Sequence, residues 1–222
     1  MMIKCAIFDL DGTLLSTLDT ITLHLNNTLQ AEGLPVITLE ECRAFIGNGA
    51  RKLVSRAVGK SGDVDAVVTE RVLKTYNRAY NDDPLPLTVP YDGIPELVDA
   101  LLLRGVRLAV VTNKPEPTAK KLIEHFFPNK FSLVIGGREG AVLKPDPADT
   151  LYAIKALGYS AEEAVFVGDT SVDILTGKNA HVALSIGVAW GFREKAELVD
   201  AGADIIINEA PQLLREVDGY EN

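Results

Sequence analysis

Short, continuous apolar runs rich in β-branched residues recur along the chain. They are Ala6-Ile7-Phe8, Val106 to Val111, Leu133-Val134-Ile135, Val165-Phe166-Val167, Val182 to Ile186 and Ile205-Ile206-Ile207. Runs without polar alternation suit strands covered on both faces, as in a parallel sheet. Between them, apolar positions return every three or four residues, the spacing of one helix face. These segments are Ile94 to Leu103, Thr118 to Phe127, Thr150 to Leu157, Val172 to Ala180 and Pro211 to Val217. Gly105 and Gly158 stand just past two of them, where a helix ends on a residue that tolerates positive φ. Strand and helix alternate from about Ile94 onward, which predicts a doubly wound, parallel α/β sheet.

The first strand breaks this rhythm. After Leu14 the pattern turns helical, with no good strand before Val106. Candidate helices are Leu18 to Ala31, Leu39 to Phe45, Ala50 to Val58 and Val64 to Tyr80, followed by a proline-rich return from Asp83 to Pro90. A structureless or single-helix crossover of this length is rare. The pattern therefore predicts an all-helical module inserted after the first strand, with linkers near Leu15 and Val89. Residues 1–14 and 90–222 would form the Rossmann-like core, and residues 15–89 the insert.

Composition narrows the function. Of 222 residues, 47 % are apolar and 24 % charged, an ordinary globular balance. The net charge of -9 repels nucleic acid and anionic membrane, so neither is an expected partner. An anionic small substrate would need local cations or a metal. Cys5 and Cys42 make no disulfide framework and no Cys-x-x-Cys pair. No apolar stretch approaches the ~18–20 residues of a membrane span. The N-terminus shows no signal-peptide cleavage pattern. The expectation is a soluble protein of the cytoplasm, with monomer and homodimer both open.

In open α/β sheets ligands bind beyond the carboxyl ends of the strands, so the strand ends are where chemistry is sought. The first run ends in Asp9-Leu10-Asp11-Gly12-Thr13, the second in Thr112-Asn113-Lys114, and the fourth in Gly168-Asp169-Thr170-Ser171-Val172-Asp173. Lys144-Pro145 lies between the third and fourth. Asp9 and Asp11, two apart, face one side of an extended chain. Crowded carboxylates repel and protonate unless a cation shares the site. All-oxygen ligation with open water positions suits Mg²⁺, which in turn suits a phosphoryl substrate. Thr112 and the amide of Asn113 could then bond phosphoryl oxygens, and Lys144 could balance phosphate and nucleophile. Read alone, Asp169 and Asp173 could equally cap a helix.

These four segments, in this order, resemble the motifs of the haloacid dehalogenase-like phosphohydrolase superfamily. The likeness spans nearly the whole chain, and the insert after the first motif matches the helical cap of that superfamily. The resemblance implies that Asp9 attacks phosphorus to form an aspartyl-phosphate. It implies that Asp11 protonates the leaving oxygen and then deprotonates water. It places Mg²⁺ on the Asp9 carboxylate, the backbone carbonyl of Asp11 and the Asp169 carboxylate, with Asp173 acting through the surroundings of these groups. The superfamily's dehalogenases need no metal and lack the second aspartate, whereas this chain has Asp11.

Among the members, the chain most resembles the phosphoglycolate phosphatases, through Asp9 to Leu14, Gly47 to Ala50, Pro90 to Gly93, Thr112 to Lys114 and Gly168-Asp169. That resemblance implies a small phosphorylated metabolite, 2-phosphoglycolate, as substrate. Relatives of the same plan act on pyrophosphate, nucleotides or sugar phosphates, or isomerise phosphoglucose. A non-catalytic phospho-accepting or binding module is the alternative of another class. Gly47-Asn48-Gly49-Ala50-Arg51 offers exposed amides at a helix start and a guanidinium close by. Gly49, Ala50 and Arg51 are therefore candidates for holding the substrate's second anionic group. The equal alternative is a helix start with solvated basic residues. His24, His125 and His181 share no metal-ligand spacing.

Overall fold

The computed structural model describes residues 3–62 and 65–219. Val64, where the fourth candidate helix was expected to begin, lies outside them. So do the terminal residues 1, 2 and 220–222 of the expected core.

The chain opens with strand β1 (Cys5–Phe8), a two-residue strand β2 (Leu15–Ser16), and helices α1 (Leu18–Ala31), α2 (Leu39–Phe45), α3 (Ala50–Gly59) and α4 (Ala66–Asp82). Strand β3 (Val89–Pro90) and helix α5 (Ile94–Leu103) follow, then β4 (Arg107–Pro115), α6 (Glu116–Phe126), β5 (Leu133–Gly137) and α7 (Ala148–Ala156). The chain continues through β6 (Ala164–Gly168), α8 (Ser171–Asn179), β7 (Leu184–Val188), α9 (Lys195–Asp200), β8 (Ile205–Ile207) and α10 (Gln212–Asp218).

Six strands form one sheet in the order β5-β4-β1-β6-β7-β8, and every pairing in it is parallel. This is the predicted doubly wound α/β architecture. β1 sits centrally, with Phe8 level with Val110 on one side and Val167 on the other. The strand order reverses across it, so the residues after Phe8 emerge at the crevice where such sheets bind ligands. The continuous apolar runs are explained by burial on both faces. Ala6, Phe8, Leu108, Val110, Val165 and Val167 pack on one side. Cys5, Ile7, Ala109, Val111, Ala164 and Phe166 pack on the other.

Helices α1 to α4 enclose a separate apolar cluster that includes Leu25, Leu29, Val54, Ala57, Val72 and Tyr76. α2 starts on a capping box, with Thr38 Oγ1 accepting from Glu41 N and Glu41 accepting from Thr38 N. The expected linkers near Leu15 and Val89 contain more structure than predicted. β2 and β3 pair antiparallel, Leu15 with Pro90 and Ser16 with Val89, which brings the two chain crossings side by side. Two residues per strand are too few to show periodicity. Three other departures are small. β4 runs on to Pro115, so Thr112, Asn113 and Lys114 remain buried strand residues. β7 begins at Leu184, not Val182. α9 was not predicted, because its six residues bury only Leu198 and present no apolar stripe.

Candidate active site

Asp9 follows β1 directly and is fixed by its own backbone, whose N–H donates to Val167 O at 2.9 Å. Asp169 follows β6 and is fully buried. Its Oδ1 accepts from Thr13 Oγ1 at 3.0 Å and its Oδ2 from the Phe192 amide at 2.8 Å. Glycines make room for it. A Cβ on Gly12, whose φ is +87°, would stand 2.3 Å from Asp169 Oδ2, and one on Gly191 would stand 2.2 Å from Asp169 Cβ. Side chains at these two positions would push the carboxylate out of place.

Asp173, in the first turn of α8, does two jobs. Its Oδ2 accepts from Thr170 N at 3.0 Å and Thr170 Oγ1 at 2.7 Å, closing a capping box. Its Oδ1 accepts from Lys144 Nζ at 2.6 Å. The capping reading and the site reading of Asp173 are thus both true, one for each oxygen. Lys144 reaches 2.8 Å from Asp9 Oδ1 as well. Burial alone would pull the lysine's pKa down, but Asp173 and Asp9 outweigh it and hold the ammonium charged.

Asp9, Asp169 and Asp173 bring carboxylate oxygens within 4.8 Å of one another, all buried. One buried lysine, Lys144, contacts this trio of acids. Burial, and then Asp173, push the Asp9 carboxyl up to about 6 against Lys144 and Thr112. Burial, Asp173 and Asp9 push Asp169 well above the carboxylate range. Asp9 Oδ1 makes no aligned hydrogen bond despite its closeness to Lys144. Buried carboxylates that resist ionisation and an under-bonded carboxylate oxygen together fit a hard, oxygen-liganded dication.

On the near side of this pit, Asp11 Oδ1 accepts from Thr17 Oγ1 at 2.7 Å and from Lys114 Nζ at 2.8 Å. Thr112 is buried between the acids and Lys114, whose N–H lies 3.3 Å from Thr112 Oγ1. Asn113 uses its side chain as a tether. Its Oδ1 accepts from Lys144 N at 2.8 Å, and its Nδ2 lies 3.2 Å from both Lys144 O and Gly47 O. It thereby joins the sheet to the α2–α3 loop.

A cavity of about 60 Å³ lies between the sheet edge and the helical insert. Asp9, Asp11, Thr112, Asn113 and Lys114 line it from below; Ile21, Ile46, Leu53, Tyr76 and Tyr80 line it from above, with Gly49 and Ala50 at the start of α3. The structure therefore brings together the predicted core residues, Gly49 and Ala50. It does not bring Arg51. That guanidinium turns outward onto Glu70 of α4 and is 66 % exposed. Leu53, not Arg51, is the α3 side chain facing the cavity, because the two positions lie roughly 200° apart around the helix axis.

Sequence reasoning gave two residues no role. Lys114 is buried against Asp11 and Tyr80; the available signal was a lysine closing an apolar strand. Arg193 donates to the carbonyls of Arg43 at 2.5 Å and Ile46 at 2.7 Å, pinning the α2–α3 loop to the core. Nothing in its local pattern marks it. The histidines lie elsewhere: His24 Nε2 is 2.7 Å from Asp83 O, and His125 packs on Phe126.

The haloacid dehalogenase-like hydrolase family matches residues 6–186, and the chain belongs to that family. It is 37 % identical over 197 residues to a phosphoglycolate phosphatase of Rhodospirillum rubrum, covering 86 % of this chain and 81 % of that one. It is 30 % identical to a phosphoglycolate phosphatase of Aquifex aeolicus, with 98 % of each covered. A crystal structure from Lactobacillus delbrueckii subsp. bulgaricus, assigned as a candidate phosphoglycolate phosphatase, superposes with a TM-score of 0.91. It shares 32 % identity and covers 98 % of this chain and 99 % of its own.

Proposed function

We propose that the protein is a Mg²⁺-dependent phosphomonoesterase that hydrolyses 2-phosphoglycolate to glycolate and phosphate through an aspartyl-phosphate on Asp9. The observation that carries this reading is the convergence of Asp9, Asp11, Thr112, Lys144 and Asp169 from four chain segments on one sheet edge beneath a small cavity. The relatives named above support the choice of substrate.

In this reading the Asp9 and Asp169 carboxylates and the Asp11 carbonyl hold the metal, with residues 15–89 acting as the cap over the leaving group. When bound, Mg²⁺ neutralises phosphoryl charge and the crowded acids. A carboxylate oxygen of Asp9 attacks phosphorus while the ester P–O bond breaks, and Asp11 protonates the departing oxygen. Thr112 and the Asn113 amide hold phosphoryl oxygens. Lys144 keeps Asp9 ionised and correctly turned. Water then attacks the aspartyl-phosphate, with Asp11 taking its proton. The apolar roof excludes other water. The α3 amides at Gly49 and Ala50 are the donors left for the substrate carboxylate, since Arg51 is turned away.

The test is a panel of phosphorylated metabolites ranked by kcat/KM with Mg²⁺. The expected leader is 2-phosphoglycolate. A sugar phosphate, a nucleotide or pyrophosphate ranking first would replace the substrate, and no turnover of any ester would overturn the enzyme.

A further inference from the structure

Lys114 is a buried ammonium with three contacts to two residues. Its Nζ lies 2.8 Å from Asp11 Oδ1, 3.1 Å from Asp11 Oδ2 and 2.5 Å from the Tyr80 hydroxyl. It also stands 4.3 Å from the centre of the Tyr80 ring. Its side chain is 2 % exposed, against 18 % for Asp11. An ammonium donates three hydrogens, and these three contacts use them all. Lys114 comes from sheet strand β4 and Tyr80 from insert helix α4, so a core strand and a cap helix meet at one nitrogen. Thr17 holds the same Asp11 oxygen from the other side at 2.7 Å. The Tyr80 ring is fixed in turn by stacking on Tyr76, with centroids 5.7 Å apart.

We propose that Lys114 is a positioning residue for the second half of the reaction, aiming the Asp11 carboxylate at the hydrolytic water only while Tyr80 of the seated cap holds the ammonium in place. The inference rests on the phosphomonoesterase reading above. The ammonium spans both oxygens of the Asp11 carboxylate and so fixes the direction in which it faces. In that half-reaction the water oxygen bonds to phosphorus. The bond from phosphorus to the Asp9 oxygen breaks, its electron pair returning to the carboxylate, and Asp11 takes the proton that water releases. Lys114 exchanges nothing and acts only through the Asp11 carboxylate it holds. An Asp11 without Lys114 loses the fork that sets its direction. An Asp11 paired to a Lys114 without Tyr80 keeps the fork on an ammonium that is free to shift.

The measurement is pre-steady-state and steady-state hydrolysis of p-nitrophenyl phosphate with Mg²⁺ by the full chain. Nitrophenolate leaves with little help from an acid, so kcat/KM reports phosphoryl transfer to Asp9, and kcat reports whichever step is slower. For Lys114→Met, kcat should fall about 10–100-fold and KM should fall with it. A burst of up to one equivalent of nitrophenolate should appear, and kcat/KM should stay within about threefold. Tyr80→Phe keeps the ring and removes the hydroxyl. It should give the same split at about three- to tenfold. Adding Lys114→Met to Asp11→Asn should lower the phosphoenzyme hydrolysis rate no further.

An equal fall in kcat and kcat/KM, with no burst, would place Lys114 on the phosphoryl group or in the fold and overturn the proposal. So would a Tyr80→Phe variant of wild-type behaviour, which also serves if Lys114→Met does not fold. Failure of the unaltered chain to release nitrophenolate would instead strike the phosphomonoesterase reading itself.

Discussion

The two walls of the cavity are built on opposite principles. The sheet wall carries buried charge, with Asp9, Asp169, Asp173, Lys144 and Lys114 all buried and each aimed by named partners. The helical wall is apolar where it faces the cavity and keeps its ion pairs outside, as Arg51–Glu70, Lys60–Glu41 and Arg71–Glu32 show. Charges in the low-dielectric pit interact strongly and hold fixed positions, which suits the group common to all substrates. The outer pairs are solvated and contribute little. The roof instead supplies shape and dryness, which suit the part of a substrate that varies. On the proposed function, chemistry and selectivity divide between the walls, which are joined at Lys114–Tyr80, Asn113–Gly47 and Arg193–Ile46.

Four substitutions or conditions can break that division. The largest effect is expected at Asp9. Asp9→Asn should remove turnover by more than about 10⁴-fold on every ester, with circular dichroism unchanged, because an amide is no nucleophile. Residual activity near wild type would end the proposed mechanism. Asp11→Asn should cost about 10²–10⁴-fold, the range of a lost general acid–base. This loss should be steeper for alkyl than for nitrophenyl esters in kcat/KM, and a uniform loss would deny Asp11 the acid role.

The third concerns charge in the sheet wall. Folding raises the Asp9 pKa from 3.8 to about 6 through burial. Between those values the folded chain binds more protons than the unfolded one, so Asp9 makes metal-free stability fall as pH rises through that window. A dication competes with the retained proton. The Tm gain from Mg²⁺ should therefore be larger at about pH 7 than at about pH 5, and equal gains would mean that the acids do not hold the ion.

The smallest effect is expected in the other wall. Arg51→Ala should leave kcat/KM within about twofold for both 2-phosphoglycolate and p-nitrophenyl phosphate, as an exposed pair predicts. A selective tenfold loss on 2-phosphoglycolate would show that Arg51 leaves Glu70 and turns inward over the substrate, and would restore it as the carboxylate donor.

Much of this was legible in residue order alone. Parallel strands buried on both faces must be apolar throughout, so β1 and β6 stood out as short runs; the partly buried edge strands β5 and β8 are apolar runs as well. Helices with a buried stripe showed by their spacing; α1 and α5 fall at the expected bounds, as does α2, which buries only Cys42. Asp9 and Asp169 were visible because a charged residue directly after a buried strand has few structural reasons to be there, and Asp11 and Asp173 follow them in the same segments. What remained hidden depends on partners distant in sequence. Arg51 and Leu53 are two positions apart, and a helix start preceded by glycines reads the same whichever of them turns inward. Only the packing of α3 against α4 sends Leu53 to the cavity and Arg51 to Glu70. Lys114 reads as one more polar residue closing a strand. It becomes the joint between the walls only when Tyr80, 34 positions away, stands 2.5 Å from its nitrogen. Periodicity and strand-end chemistry are local and survive in the order of residues. The direction of a side chain among competing partners is set by which surfaces the fold presses together.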